Sequence, residues 1–125
     1  MKQTFGNIEK LKSRKEIEAL FSEGSSIAQF PVRLIYKKTE FSDQVPIKTA
    51  VSVSKKKFKK AVDRNRVKRL LREGYRKNKY LVTDNTTHQF AFMFIYTGKE
   101  LPEYTLIYDK IKAILEKFKN KELNS

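Results

Sequence analysis

The chain has 125 residues, with 28 lysines and arginines against 14 aspartates and glutamates, so its net charge is +14. This excess indicates a polyanionic partner, either nucleic acid or an anionic membrane surface. Hydrophobic residues make up 39% of the chain, which excludes a disordered basic tail and allows a packed core. The absence of cysteine excludes a disulfide scaffold, a Cys-ligated zinc site and a Cys nucleophile.

The length predicts one domain over residues 1–125, with residues 1–12 as an extended arm and residues 119–125 as a frayed tail. No apolar run approaches the roughly 18 residues that a membrane span needs. The N-terminus lacks the apolar stretch of a signal peptide. These features predict a cytoplasmic protein with no membrane partner.

The first half of the chain predicts a helix followed by strands. Ser13 and Glu16 have the spacing of a capping box, and apolar residues then recur at helical spacing until Gly24 ends the helix. Residues 27–38 are rich in β-branched and aromatic side chains, which predicts an edge strand with Pro31 near its start. Residues 47–53 predict a second strand by their alternation.

The second half predicts a central strand between two helices. Residues 90–96 are almost continuously apolar, as in a strand buried on both faces. Apolar residues recur at helical spacing from Pro102 to residue 118. The predicted order is therefore α, β, β, α, β, α.

Residues 55–80 contain 13 lysines and arginines against two acids, Asp63 and Glu73, and so hold +11 of the net charge. Apolar positions within them mark one face of a helix at about residues 63–78: Val67, Leu70, Leu71, Gly74 and Tyr75. Gly74 would permit close approach to a sheet. Asp63 is expected as the N-cap of this helix, with a metal ligand as its alternative role.

The opposite face of this helix carries the candidate binding residues. Lys68, Arg69, Arg72 and Arg76 lie there at 100° per residue, and Asn65 adds a donor and an acceptor. Arginine binds phosphate oxygens with two parallel hydrogen bonds, so cations on one rigid face suit a nucleic-acid backbone. The alternative is a solvated basic helix, but only Glu73 is available to pair with the cations.

The stretch VSVSKKKFKKAVDRNRVKRLLREGYR, residues 51–76, closely resembles the bacterial ribonuclease P protein family. Its most specific part is RNRVKR at 64–69, preceded by SVSKK at 52–56. The similarity continues through a first helix at 13–26 and a first strand from residue 27, and covers roughly residues 10–118.

The resemblance implies a protein cofactor of a ribozyme. In this family a large RNA with bound Mg²⁺ hydrolyses the phosphodiester that joins the 5′ leader to precursor tRNA. The protein alone would have no catalytic residue and no metal or other cofactor of its own. Its partners would be the catalytic RNA and precursor tRNA, with one protein per RNA. The implied activity is that of an RNA-catalysed endoribonuclease in tRNA processing.

The resemblance also implies two groups of site residues. The RNA-facing group is Lys55, Lys56, Lys59, Lys60, Arg64, Asn65, Arg66, Lys68, Arg69, Arg72 and Arg76. A leader-binding cleft between the first helix and the sheet would be lined by Phe21, Tyr36 and Ile17. Ile17 replaces an aromatic residue of many relatives, and a one-residue slip in strand register would turn Tyr36 to the other face.

The expected fold is an α/β sandwich, with one mainly antiparallel sheet covered by about three helices. The resemblance implies a left-handed strand–helix–strand crossover around the basic helix, against the general preference for right-handed connections. The alternative function is a ribosomal or other structural RNA-binding protein. A stand-alone nuclease is disfavoured because His88 is the only histidine and the acids are dispersed.

Overall fold

The computed structural model of the protein describes residue 6 and residues 9–123. Its elements are α1 Arg14–Glu23, β1 Ser25–Gln29, β2 Val32–Thr39, β3 Ile47–Val53, α2 Ala61–Asn78, α3 Tyr80–Thr83, β4 Gln89–Tyr96, α4 Tyr104–Phe118 and a C-terminal π-helix Lys119–Leu123. The predicted combination of one sheet with covering helices is confirmed. Within these residues no helix is long and apolar enough to cross a membrane.

The four strands form one mixed sheet in the order β1-β2-β4-β3. β2 runs antiparallel to both β1 and β4, whereas β3 and β4 are parallel neighbours. The prediction of a mainly antiparallel sheet is therefore confirmed. The chain leaves β3, forms α2 and α3, and returns as β4, so the expected crossover contains the basic helix. Its left hand stays a prediction.

The N-terminal elements follow the predicted pattern only in part. The side chain of Ser13 caps α1 by accepting a hydrogen bond from the Glu16 N–H at 3.3 Å. The single strand expected over residues 27–38 is wrong, because β1 and β2 form a hairpin that turns at the cis peptide bond Phe30–Pro31. The sequence hides this turn because β-branched and apolar residues continue on both sides of it.

The sheet is covered on both faces. The α2 and α4 face holds the larger core cluster, which includes Leu34, Phe92 and Phe94. The α1 face holds a smaller cluster around Leu20 and Met93. Phe92, Met93 and Phe94 are consecutive residues of β4, and both faces of this strand are buried, as predicted for 90–96.

The C-terminal segment is attached to the core, so the expected frayed tail is wrong as far as Leu123. The hydroxyl of Tyr36 donates a hydrogen bond to the Glu122 carboxylate at 2.8 Å. The Tyr36 ring also packs edge-on against Phe118, with 4.9 Å between ring centroids. These contacts join β2 to the end of the chain, and Leu123 packs against the same core.

The described part of the predicted N-terminal arm also contacts the fold. The Leu11 N–H donates to the Thr49 carbonyl at 3.0 Å, which places this segment along β3. The Glu9 carboxylate binds the almost fully buried Lys79 ammonium at 2.6 Å. Residues 1–5, 7 and 8 of the predicted arm lie outside the described residues.

The two faces of α2 are expected to respond differently to substitution. Leu71 is fully buried, Leu70 only partly buried, and Arg72 exposed. Leu71→Ala should lower the free energy of unfolding by about 2–5 kcal/mol because it leaves a cavity in the core. Leu70→Ala should cost less, and Arg72→Ala should change stability by no more than about 0.5 kcal/mol. Urea unfolding of the three variants checks this order, and a large loss in Arg72→Ala would contradict the orientation of α2.

The contact between Tyr36 and Glu122 predicts a dependence of stability on alkaline pH. Burial, followed by the hydrogen bond and negative charge of Glu122, raises the pKa of Tyr36 to about 12. The unfolded chain ionises this group near pH 10, so its stabilisation is complete below about pH 10 and is lost as the pH rises towards 12. Tyr36→Phe should be less stable at neutral pH by about 0.5–1.5 kcal/mol. It should also lose less stability on alkalinisation in urea titrations, and an unchanged alkaline loss would contradict this assignment.

Candidate nucleic-acid interface

One face of α2 is fixed against the core. Val67, Leu71 and Tyr75 are at most 1% exposed, and the Tyr75 ring lies 5.5 Å from that of Phe94 in the sheet. A Cβ added at Gly74 would lie 3.0 Å from Ile111 Cδ1, so the close approach that Gly74 permits is to α4. The expected approach to the sheet at this position is wrong. The buried face therefore fixes the rotation of α2 about its axis.

Asn78 completes this attachment, although no pattern in the sequence singles it out. Its side-chain amide donates to the Gly74 carbonyl at 2.9 Å and to the Tyr108 carbonyl at 3.3 Å. The first bond lies within α2 and the second crosses to α4. Asn78 is fully buried, and these bonds satisfy its amide nitrogen, which would otherwise be costly to bury, whereas its Oδ1 accepts no hydrogen bond from the described residues.

The opposite face of α2 presents the predicted cations to solvent. Asn65, Arg66, Arg69 and Arg72 are exposed, whereas Lys68 is partly buried. Three of them, Asn65, Arg69 and Arg72, fall within an arc of about 60° around the helix axis. The structure thus places Asn65, Arg66, Arg69 and Arg72 on one rigid surface, which we call the α2 cationic face.

Arg76 lies in the same arc but already binds a carboxylate. Its guanidinium donates to both carboxylate oxygens of Glu73, with 3.1 Å between Nε and Oε2. This guanidinium holds the pKa of Glu73 below its usual range. Of the predicted RNA-facing residues, Arg76 is therefore partly neutralised before any ligand arrives.

Val62 is an unpredicted member of this surface. Its side chain is 73% exposed in the first turn of α2, and its angular position lies between those of Arg66 and Arg69. An apolar side chain among cations can make van der Waals contact with a ribose or a base. The sequence feature that points to Val62 is its position outside the buried apolar stripe of the helix.

Asp63 is not the N-cap that the sequence predicts. Lys60 has the extended backbone of the N-cap, α2 begins at Ala61, and Asp63 lies in its first turn. A carboxylate there interacts favourably with the positive end of the helix dipole. Among the described residues no three His, Asp or Glu side chains lie together as a metal site. The alternative role of Asp63 as a metal ligand stays a prediction.

A loop rich in lysine connects β3 to α2, and we call residues 54–60 the lysine loop. Its start is held by the Ser54 carbonyl, which accepts from the Phe58 N–H at 3.1 Å. The Phe58 side chain is buried and packs 5.9 Å from the Tyr96 ring. The Lys57 ammonium donates to the Thr97 carbonyl. The backbone is thereby ordered while four further lysines are exposed: Lys55, Lys56, Lys59 and Lys60.

The predicted leader-binding residues do not all meet. Phe21 is 57% exposed on α1, and Ile17, one turn earlier, packs against the α1 side of the sheet. Tyr36 is 3% exposed and belongs to the core on the opposite side. The expectation that Tyr36 shares a groove with Phe21 is therefore wrong: Ile35, the residue before Tyr36, packs in the cluster of Ile17, and adjacent residues of a strand point to opposite faces.

Other residues of β2 lie on the α1 side of the sheet, where the sequence predicts Tyr36. Ile35 packs in the same cluster as Ile17, and Arg33 is an exposed β2 residue of the same alternation. Arg33 pairs with Ile95 of β4 in the sheet register. Phe21, Ile35 and Arg33 thus bring an exposed ring, an apolar floor and a cation to the α1 side of the sheet.

Comparison with known proteins identifies the class to which this fold and surface belong. A family model described as Ribonuclease P matches residues 5–119. The ribonuclease P protein component of Porphyromonas gingivalis is 38% identical over 109 residues, which is 83% of this chain and 80% of that protein. That of Chlorobium phaeobacteroides is 32% identical over 126 residues, which is 90% of this chain and 86% of that protein.

Solved structures share the fold. The RNase P protein of Staphylococcus aureus has a TM-score of 0.71 at 20% identity, covering 89% of this chain and 95% of that one. The protein from Thermotoga maritima has a TM-score of 0.70 at 24% identity, covering 87% and 96%. The chain belongs to the ribonuclease P protein family. This assignment gives it a role in tRNA processing within an endoribonuclease complex whose RNA is its partner, and decides against a ribosomal protein.

Proposed function

We propose that this protein is the non-catalytic subunit of ribonuclease P, which binds the catalytic RNA and the 5′ leader of precursor tRNA. The observation that carries the proposal is the two-sided α2, whose buried face fixes Asn65, Arg66, Arg69 and Arg72 towards solvent. Cations on a rigid surface bind phosphates without first losing the conformational freedom of a flexible tail. Asn65 adds hydrogen bonds that a ribose hydroxyl or base edge can accept or donate.

The lysine loop extends this RNA-binding surface beyond the N-terminus of α2. Its exposed lysines are continuous in sequence with Arg64 and with the first turn of the helix. Lysine binds phosphate as a point charge, whereas arginine adds directional pairs of bonds. The loop therefore supplies electrostatic attraction, and the α2 cationic face supplies orientation.

The leader is proposed to lie on the α1 side of the sheet. A single strand of variable sequence is held by aromatic stacking and by cations along its backbone, since every base has a π-face. Phe21 offers the exposed ring and Arg33 the cation, while Ile35 takes the place that Tyr36 was expected to hold. Ile17 packs in the same cluster as Ile35. The groove therefore has one exposed aromatic residue, Phe21, where many relatives are expected to have two.

Hydrolysis is assigned to the RNA. Mg²⁺ held by that RNA would supply the activated water and stabilise the leaving oxygen. The protein's residues bind and orient: the α2 cationic face binds the catalytic RNA, and the α1 side holds the leader. In this proposal one protein binds each RNA, and the complex acts in the cytoplasm.

The first test measures phosphate contacts. Arg66→Ala and Arg69→Ala should each weaken binding to a bacterial ribonuclease P RNA and flatten the plot of log K against log[salt] by about one unit. Lys112→Ala, which removes an equal charge from the exposed side of α4, is the control and should leave the slope unchanged. Unchanged affinity and slope in both arginine variants would overturn the assignment of the α2 cationic face.

The second test measures the leader groove. Phe21→Ala should weaken holoenzyme binding of precursor tRNA by about 1–3 kcal/mol, the size of a lost stacking contact. The loss should appear only when the leader is long enough to reach the protein, and mature tRNA should bind as before. Leu106→Ala, which truncates an exposed apolar residue on α4, is the control. An equal loss for mature and precursor tRNA would mean that Phe21 supports the fold or the catalytic RNA.

A further inference from the structure

We propose that Arg64 is a positioning residue, which holds the lysine loop in the shape that binds RNA. The inference rests on the proposed function and changes the role that the resemblance implies for this residue. Arg64 Nη1 donates to the Phe58 carbonyl at 2.7 Å and to the Lys59 carbonyl at 2.9 Å. Both acceptors belong to the backbone of the lysine loop.

The composition of the lysine loop explains why these hydrogen bonds are needed. Five of the seven residues of the lysine loop are lysines, whose charges repel one another and favour an extended chain. The buried Phe58 anchors the middle of the loop, and the Ser54 contacts hold its start. The bonds from Arg64 hold the following part, where the chain passes from Phe58 to Lys60.

The same bonds separate Arg64 from its neighbours on α2. Arg66 and Arg69 are exposed, whereas Arg64 is partly buried and directs Nη1 to two carbonyls. Charge-assisted hydrogen bonds of this kind are roughly twice as strong as neutral ones. Removing them leaves Lys59 and Lys60 to be ordered at the moment of RNA binding, which reduces the affinity. Arg64 therefore contributes to binding through the loop.

The first experiment examines the free protein. Arg64→Met keeps the aliphatic stem and removes the donors, while Arg66→Met is a matched control that also removes one arginine and one tryptic site. Limited trypsin digestion should cut the lysine loop about fivefold faster in Arg64→Met than in Arg66→Met, because the loop opens locally more often. Arg64→Lys, which keeps one cationic donor, should restore part of the protection. Equal cleavage in the two methionine variants would overturn the positioning role.

The second experiment measures coupling in RNA binding. Arg64→Met is combined with the double substitution Lys59→Ala and Lys60→Ala, and affinities for a ribonuclease P RNA are measured for all four proteins. If Arg64 acts through the loop, its substitution should cost about fivefold or more in the native background and little when both lysines are absent, since coupled neighbours are not additive. Losses that simply multiply would mean a direct phosphate contact and would overturn the proposal.

The two experiments separate this inference from the proposed function. Trypsin digestion needs no RNA, so it tests the tie between Arg64 and the loop even if the α2 cationic face binds something else. RNA affinity that is unchanged by Arg66→Ala and Arg69→Ala would overturn the proposed function. If Arg66→Ala and Arg69→Ala do weaken RNA binding but trypsin cleaves Arg64→Met and Arg66→Met equally fast, only the role of Arg64 is overturned.

Discussion

Burial of one face of α2 is the constraint on which the rest of this molecule depends. Val67, Leu71 and Tyr75 fit against the core, and the missing side chain at Gly74 lets α4 approach. A helix attached in this way has no freedom to rotate, so every residue outside the buried stripe has a fixed direction. The chemistry of the outer face is therefore decided by packing on the inner face.

The electrostatic arrangement around α2 leaves most of its positive charge unbalanced. Glu73 neutralises Arg76 in part, and Asp63 interacts with the start of the helix. Lys79 is buried, is paired with the partly exposed Glu9 and takes no part in the exposed surface. Arg66, Arg69 and Arg72 face water, where their mutual repulsion disfavours the compact state until a polyanion offsets it. The exposed positive charge thus favours RNA binding but lowers the stability of the free protein, and burial of the apolar core offsets this loss of stability.

Periodic patterns predicted the central elements well. The stripe from Val67 to Tyr75 fixed which side of α2 is buried, and the apolar run at 90–96 identified the strand that is covered on both faces. Helix ends were less clear, because aspartate is favourable both at the N-cap and in the first turn; this ambiguity misplaced Asp63.

Features that depend on distant contacts could not be predicted in the same way. The face on which Tyr36 lies depends on strand register, and a shift of one residue reverses it. Its contact with Glu122 joins residues at opposite ends of the chain, and the polar tail that contains Glu122 has no periodic signal. The hairpin at Pro31 was missed because the residues on both sides of the turn suit a strand equally well. The tie between Arg64 and the lysine loop is a contact to backbone carbonyls, which no residue pattern reveals.

The parallel pairing of β3 with β4 has a consequence for how the protein folds. The two strands are separated by residues 54–88, which include the lysine loop and α2, so their pairing is a long-range contact that closes slowly. The buried face of α2 packs in a core cluster that includes residues of both strands. A polyanion that prefers the folded arrangement of these cations will therefore shift the equilibrium towards the closed sheet by mass action. In this sense RNA acts as a ligand of the folding reaction, and the assembled particle is expected to resist unfolding better than the free subunit.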